Sequence, residues 1–306
     1  MRIALVAPDW GNSWIPLFKN EVESRGHEFF HWEAGKECPL RFYGPHANKH
    51  GPGESGHDFF DVLLHAWATS EPVPGKRNIM FLRRYELFDN CLSKQNWEHV
   101  SDLIIVNSWI KFIVDDYFKR KQIKTKTHLI YNAVDTSQWT FKERKPNKRI
   151  GMSCHVHPKK NLPLALDIIA GTDYELHIAG AIQDPCTAEY LDHRAKLQKN
   201  KVYLYGHIPR EQLNMWWEQM GFCLSTSISE GNPNNVLEAM AKGIKPVVHH
   251  WPGAGDQFPH LFNTSQEAKT ILSSDERYDS NRYLELVNQR FSLDNIKRVI
   301  DIGVST

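Results

Sequence analysis

The stretch STSISEGNPNNVLEAMAKG, residues 225–243, runs from the end of an apolar strand through a loop into a helix. Asn232 is placed to cap that helix, Pro233 to occupy its first position and Gly243 to end it. The loop at Gly231 and the first turn beyond it present backbone N–H groups at the positive pole of the helix dipole, a natural seat for a diphosphate. Two carboxylates bracket the seat. Glu230 lies in the loop, and Glu238 shares a helix face with Asn234 at i and i+4. Val236, Leu237, Met240 and Ala241 supply the core-facing sides, so packing does not account for Glu238. Carboxylates beside a diphosphate serve to accept hydrogen bonds from sugar hydroxyls. The plainer alternative makes Glu230 a cap and Glu238 a surface acid.

Working outward, strands and helices alternate. Downstream, Pro246–His249 reads as a strand, and Asp294–Ile302 closes the chain as a helix. Upstream, the spacing predicts strands at Arg149–Ser153, Glu175–Ala179, Val202–Tyr205 and Phe222–Ser225. Helices are expected from Asn161, with Pro163 in the first turn, and over Ala188–Leu197 and Arg210–Gln219. The first half follows the same pattern. The unbroken apolar run Ile3-Ala4-Leu5-Val6 suits a parallel strand buried on both faces. A helix over about Trp14–Arg25 comes next, then strands at His27–Trp32, Asp61–Leu64, Ile79–Leu82, Leu103–Val106 and Thr127–Tyr131. Leu87–His99 reads as helical, and Ile110–Arg120 as a helix capped by Ser108. Residues 34–57, rich in Gly, Pro and His, form a long irregular loop. KERKPNKR at Lys142–Arg149 reads as a charged, solvated connector.

The expectation is an α/β protein of two Rossmann-like parallel-sheet domains facing a central cleft. Residues 1–141 form the first, 142–149 the linker, 150–291 the second, and 292–306 a terminal helix packing back toward the first. At 306 residues the chain is long enough for two cores. Its 41% hydrophobic and 24% charged residues are ordinary for a globular protein, and a formal net charge of +1 demands no polyanionic partner. Five well-separated cysteines without CxxC spacing argue for free thiols in a reducing cytoplasm. No stretch approaches the length of a spanning helix, and the N-terminus lacks a signal-peptide pattern.

EGNPNNVLEAMAKG resembles the E-x7-E segment of family-4 retaining glycosyltransferases of the GT-B fold. Further elements resemble that family in the same order: Asn132-Ala133-Val134-Asp135, Lys159-Lys160-Asn161-Leu162, HIAG at 177–180, VYLYGHIPREQL at 202–213 and GIKPVVHHWPGAGDQF at 243–258. The resemblance implies metal-independent transfer of a hexosyl or pentosyl group from a nucleotide diphosphate sugar, UDP- or GDP-linked, with retention and without a prosthetic group. It places Glu230 on donor-sugar hydroxyls, Glu238 on the ribose, and Gly231, Asn232, Pro233, Asn234 and Asn235 along the diphosphate and sugar. Lys160, with Lys159 beside it, stabilises the leaving group. His65, after the strand in DVLLHAW, resembles the histidine that faces the donor sugar; its ordinary alternative is a hydrogen-bonded histidine at a strand end. Gly11 stands in the first-domain loop where the family carries two glycines. His155 stands where the family carries an arginine, Asn232 where it has an aromatic, and Ala133 where it has a glycine.

His155-x-His157 and His249-His250 lack a third ligand at useful spacing, so no metal site is expected. GAG at 253–255 lacks the rest of a dinucleotide fingerprint, and no P-loop is present. Trp216 and Trp217 read as helix packing, while Trp10 and Trp14 are candidates to line an acceptor site. The basic run Lys119–Lys126 reads first as a solvated surface, then as a contact for an anionic membrane surface or nucleic-acid phosphates. The acceptor is expected to be a hydroxyl of a glycan, a glycolipid or a hydroxymethylated base in phage DNA. The competing readings are a nucleotide-sugar epimerase or hydrolase of the same fold and a non-catalytic sugar-nucleotide binding subunit.

Overall fold

The computed structural model describes residues 1–7, 14–32, 59–198, 201–274 and 278–305. Gly11, Trp10 and the 34–57 loop lie outside them. The chain forms two compact units, Met1–Ala133 with Leu293–Thr306 (unit 1) and Val134–Ser292 (unit 2).

Unit 1 runs β1 (Arg2–Val6), α1 (Ile15–Ser24), β2 (Glu28–Trp32), β3 (Val62–His65), β4 (Arg77–Leu82), α2 (Arg84–Phe88), α3 (Cys91–Lys94), β5 (Asp102–Ile105), α4 (Ser108–Lys121) and β6 (Lys126–Leu129). Its sheet has the order β2-β1-β3-β4-β5-β6 with parallel pairing throughout. Ile3, Ala4, Leu5 and Val6 are all buried, as befits a strand covered on both faces. The sequence order reverses between β1 and β3, which makes the carboxyl ends of these strands the switch point of the sheet.

Unit 2 runs β7 (Arg149–Ser153), α5 (Leu162–Ile169), β8 (Glu175–Ala179), α6 (Pro185–Gln198), β9 (Lys201–Gly206), α7 (Arg210–Glu218), β10 (Phe222–Ser225), α8 (Asn234–Ala241), β11 (Lys245–His249), β12 (Leu261–Phe262), α9 (Ser265–Ser273) and α10 (Ser280–Arg290). Its parallel sheet is ordered β12-β11-β10-β7-β8-β9, with the switch point between β7 and β10. The last helix, α11 (Asp294–Val304), belongs to unit 1. It buries Ile296, Val299 and Ile300 in the core that holds Ile3, Leu5, Val62 and Ile79. Arg77 also donates to the Ile302 carbonyl at 2.7 Å.

Several local expectations are corrected. Leu87–His99 is not one helix. Asn90 takes a left-handed conformation (φ 60°), which an asparagine tolerates better than most residues, and α3 restarts at Cys91 so that Cys91 and Leu92 face the core. Asn107, not Ser108, caps α4, its Oδ1 accepting from the Ile110 N–H at 3.1 Å. Asn161 flanks α5 in a left-handed conformation without a side-chain cap. Pro233, not Asn232, is the residue flanking the start of α8.

KERKPNKR is not a free-standing connector. The Arg144 side chain is buried, and its Nε donates to the Lys242 carbonyl at 2.8 Å. Glu218 pairs with Lys142, Arg144 and the fully buried Lys242. The charge of this segment thus ties residues 142–149 onto α7 and α8. Trp216 and Trp217 are buried as helix packing.

Candidate active site

The candidate side chains Lys160 and Glu230 of unit 2 meet in the loops that leave β7 and β10, at the switch point of that sheet. Phe222 and Cys223 of β10 pair with Ile150 and Gly151 of β7, so the loops leaving the two strands rise side by side. They are stitched together. Ile228 N–H donates to the Lys159 carbonyl at 3.1 Å, and Thr226 Oγ1 to the Lys160 carbonyl at 2.7 Å. Gly180 explains the glycine of HIAG: a Cβ there would stand 2.0 Å from the Cys154 carbonyl oxygen, in the backbone that leads to Lys160.

Lys160 Nζ donates to Glu230 Oε1 at 2.6 Å, with 19% and 12% of the two side chains exposed. Burial by itself would raise the Glu230 carboxyl, but the nearby Lys160 and then Lys159 hold it below its usual range. Glu230 is therefore a carboxylate at neutral pH, shortly before the start of α8. Gln257 fixes the loop from behind. This fully buried side chain donates to the Gly231 and Gly253 carbonyls (3.0 and 3.2 Å) and accepts from Asn232 Nδ2 at 2.7 Å. Asn232 is thus committed to Gln257 rather than to capping. The Gln257→Met variant removes three hydrogen bonds at nearly constant volume and should destabilise the protein by about 2–3 kcal/mol. A denaturant midpoint equal to wild type would show that Gln257 does not hold the loop.

Glu238 is buried at 5% exposure inside α8 rather than lying at the surface. Its Oε1 accepts from Arg210 Nη1 at 2.7 Å, and the Arg210 guanidinium lies 5.4 Å from the centre of the Trp139 ring. Burial raises the Glu238 carboxyl above its ordinary value and Arg210 opposes the rise. Neither Arg210 nor Gln257 was among the expected site residues. Arg210 opens α7 beside Glu211 in the same first turn, so no local signal pointed to a partner as far away as Glu238.

His155 is exposed, and its imidazole is pushed below its ordinary value, by partial burial first and by the Lys160 charge second. At neutral pH it is an uncharged hydrogen-bonding group and does not reproduce an arginine's charge. Asn234 and Asn235 open α8 directly after Pro233. His65 belongs to unit 1, at the carboxyl end of β3 and hence at that sheet's switch point. Its Nε2 bonds Asn78 Oδ1 at 3.0 Å, while Nδ1 has no partner among the described residues. Burial outweighs that bond and pushes its pKa down to about 4, so His65 is neutral.

Among the described residues, no group of three or more His, Cys, Asp or Glu is placed to hold a metal ion. No described helix is long and apolar enough to cross a membrane. Lys119, Arg120 and Lys121 fill the last turn of α4, where cations complement the helix dipole, and all three are exposed.

Residues 147–268 match the family model for glycosyl transferases group 1. No curated protein matches the chain by sequence. Among solved structures, Anabaena HepE in complex with UDP and glucose superposes with a TM-score of 0.73 at 14% identity, covering 99% of this chain and 98% of that one. Sucrose-phosphate synthase from Thermosynechococcus elongatus gives 0.70 at 11% identity over 99% and 98%. The lipopolysaccharide outer core galactosyltransferase WaaB, in its apo form, gives 0.67 at 13% identity over 98% of each chain. At such identities the superpositions speak to the fold. The chain thus has the GT-B fold, and through residues 147–268, which carry the Lys160–Glu230 pair and Glu238, it resembles the group 1 glycosyltransferases.

Proposed function

We propose that the protein is a retaining, metal-independent glycosyltransferase that moves a sugar from a nucleotide diphosphate sugar to a hydroxyl acceptor. The observation that carries this reading is the 2.6 Å Lys160–Glu230 pair at the switch point of unit 2, shortly before the positive end of α8. A diphosphate seated there meets the helix dipole and the Lys160 ammonium, which together stabilise the charge that grows on the leaving group. Lys159 stands next to it as a second cation. Glu230 accepts from the donor-sugar hydroxyls, Gly231 to Asn235 line the diphosphate and sugar, and Glu238 accepts from the ribose. His65, in unit 1, is a neutral hydrogen-bonding group. In this reading unit 2 is the donor side and unit 1 the acceptor side.

UDP is the first donor nucleotide to test, because HepE is found with UDP and glucose, and GDP is the second. The acceptor class, whether glycan, glycolipid or modified DNA base, belongs to a screen that follows. The experiment is thermal stabilisation by UDP, GDP, ADP and CMP, with Glu238→Ala as the control. A nucleotide at 100 times its Kd adds about 2.7 kcal/mol to the native state. The expected result is a shift with one nucleotide family that disappears in Glu238→Ala. A shift that persists undiminished in the variant would overturn the ribose assignment. No shift with any of the four would favour a protein that binds no sugar nucleotide.

A further inference from the structure

Arg83 follows β4 in an extended conformation (φ −84°, ψ 147°), so its side chain rises on the same side of the sheet as Phe81, two residues earlier. There it lies over two aromatic rings, with Cζ 5.4 Å from the Trp14 ring centre and 5.6 Å from that of Phe81. Nε donates to the Ala66 carbonyl at 3.0 Å. Trp14, Phe81 and Phe18 pack on one another beneath it. The guanidinium thus sits at the carboxyl ends of β3 and β4, at the crest of the unit 1 sheet.

Its bonding is incomplete. A guanidinium carries five N–H donors, and among the described residues the Ala66 carbonyl takes one. No carboxylate pairs with Arg83 among those residues. Glu86 is nearby but otherwise committed. Its two oxygens accept from the backbone N–H groups of Ala68, Thr69 and Arg83 and from Thr69 Oγ1. Glu86 therefore fixes the Arg83 backbone and the 66–69 loop without bonding the guanidinium. Arg83 is half-buried, and a planar anion can accept from the part of its fork that the Ala66 bond leaves over. A structural role as a tether for Ala66 uses Nε alone and leaves both terminal nitrogens over.

We propose that Arg83 anchors an anion-binding position on unit 1 that takes a carboxylate or phosphate group of the acceptor. This rests on the reading of unit 1 as the acceptor side, and it narrows the acceptor class to sugars or alcohols that carry such a group. The Trp14 and Phe81 rings supply the apolar floor.

The test measures binding of glucose 6-phosphate, glucuronate and glucose by calorimetry, with UDP present at saturation to occupy the donor side. Arg83→Met keeps the apolar contact with the rings and removes the charge; Arg83→Lys keeps the charge and loses the fork. The wild type is expected to bind at least one of the two anionic sugars about tenfold or more tighter than glucose. Arg83→Met should erase the preference, and Arg83→Lys should restore part of it. Thermal melts check that both variants fold. Equal binding of all three sugars, an anion preference that survives Arg83→Met, or no restoration by lysine would each overturn the proposal. Should UDP fail to bind, the donor reading falls on its own, and the same comparison made without UDP still decides the role of Arg83.

Discussion

If the proposed function holds with UDP-glucose as donor, replacing Lys160 with methionine lowers kcat for its turnover by about 10²–10³-fold, with a much smaller change in KM. As the bond from the sugar to the diphosphate breaks, negative charge grows on the departing oxygen, and a cation already in place stabilises it without reorganisation. In the proposed function that cation is Lys160. One of its N–H groups goes to Glu230 at 2.6 Å, and an ammonium has two more. Methionine also leaves Glu230 buried without the Lys160 charge, so the burial that raises its carboxyl is opposed less strongly than in the wild type. Glu230→Gln should therefore be non-additive with Lys160→Met, with a coupling of about 0.5–3 kcal/mol. Release of UDP over time gives kcat and KM for the two single variants and the double. A Lys160→Met enzyme within about threefold of wild type would remove Lys160 from the chemistry, and strictly additive losses would show that the two side chains act separately.

What was legible in the sequence was what repeats locally. The run Ile3–Val6 and the apolar sides of α8 announce burial by their spacing alone, and Gly180 stands in a motif because its backbone neighbour leaves no room for a Cβ. The Glu230 and Glu238 positions were visible because one strand, one loop and one helix carry both. Partners were another matter. Lys160 meets Glu230 across 70 residues, Arg210 meets Glu238 across 28, and Gln257 meets Asn232 across 25. No periodicity links such pairs; the crossover connections that make β7 and β10 neighbours create them. The failed cap at Asn232 has the same origin. Its local preference for a helix start loses to a buried amide partner supplied by a later loop. The broken helix at Asn90 is a smaller case, where Cys91, Leu92 and Trp97 reach the core only if the chain turns between α2 and α3.

Glu238 carries the second large effect. Under the proposed function, with Glu238 on the ribose and UDP-glucose as donor, Glu238→Gln weakens UDP-glucose binding by about 10–100-fold, the loss of hydrogen bonds from ribose hydroxyls to a charged acceptor, worth about 1.5–3 kcal/mol. UDP-glucose is the ligand of choice because its diphosphate has no free terminal phosphate to titrate near neutrality. The carboxylate must be ionised to serve, and burial raises its pKa while Arg210 opposes the rise. The sign follows. A carboxyl whose folded pKa lies above its unfolded value binds more protons in the native state, so its contribution to stability falls as pH rises through the interval between the two values. Donor binding runs the other way and is lost as pH falls through the folded pKa. Arg210→Met removes the cation that restrains the rise, so acid loss of UDP-glucose affinity should set in at higher pH than in the wild type. In Glu238→Gln that acid limb should vanish. Arg210 is 45% exposed, which screens its charge and keeps the displacement modest. Calorimetric titrations from about pH 5 to pH 8 on the wild type and both variants provide the check. An acid limb that stays in place in Arg210→Met would mean that the 2.7 Å bond between the two side chains does not set the ionisation of Glu238, and one that survives in Glu238→Gln would assign the titration to a different group.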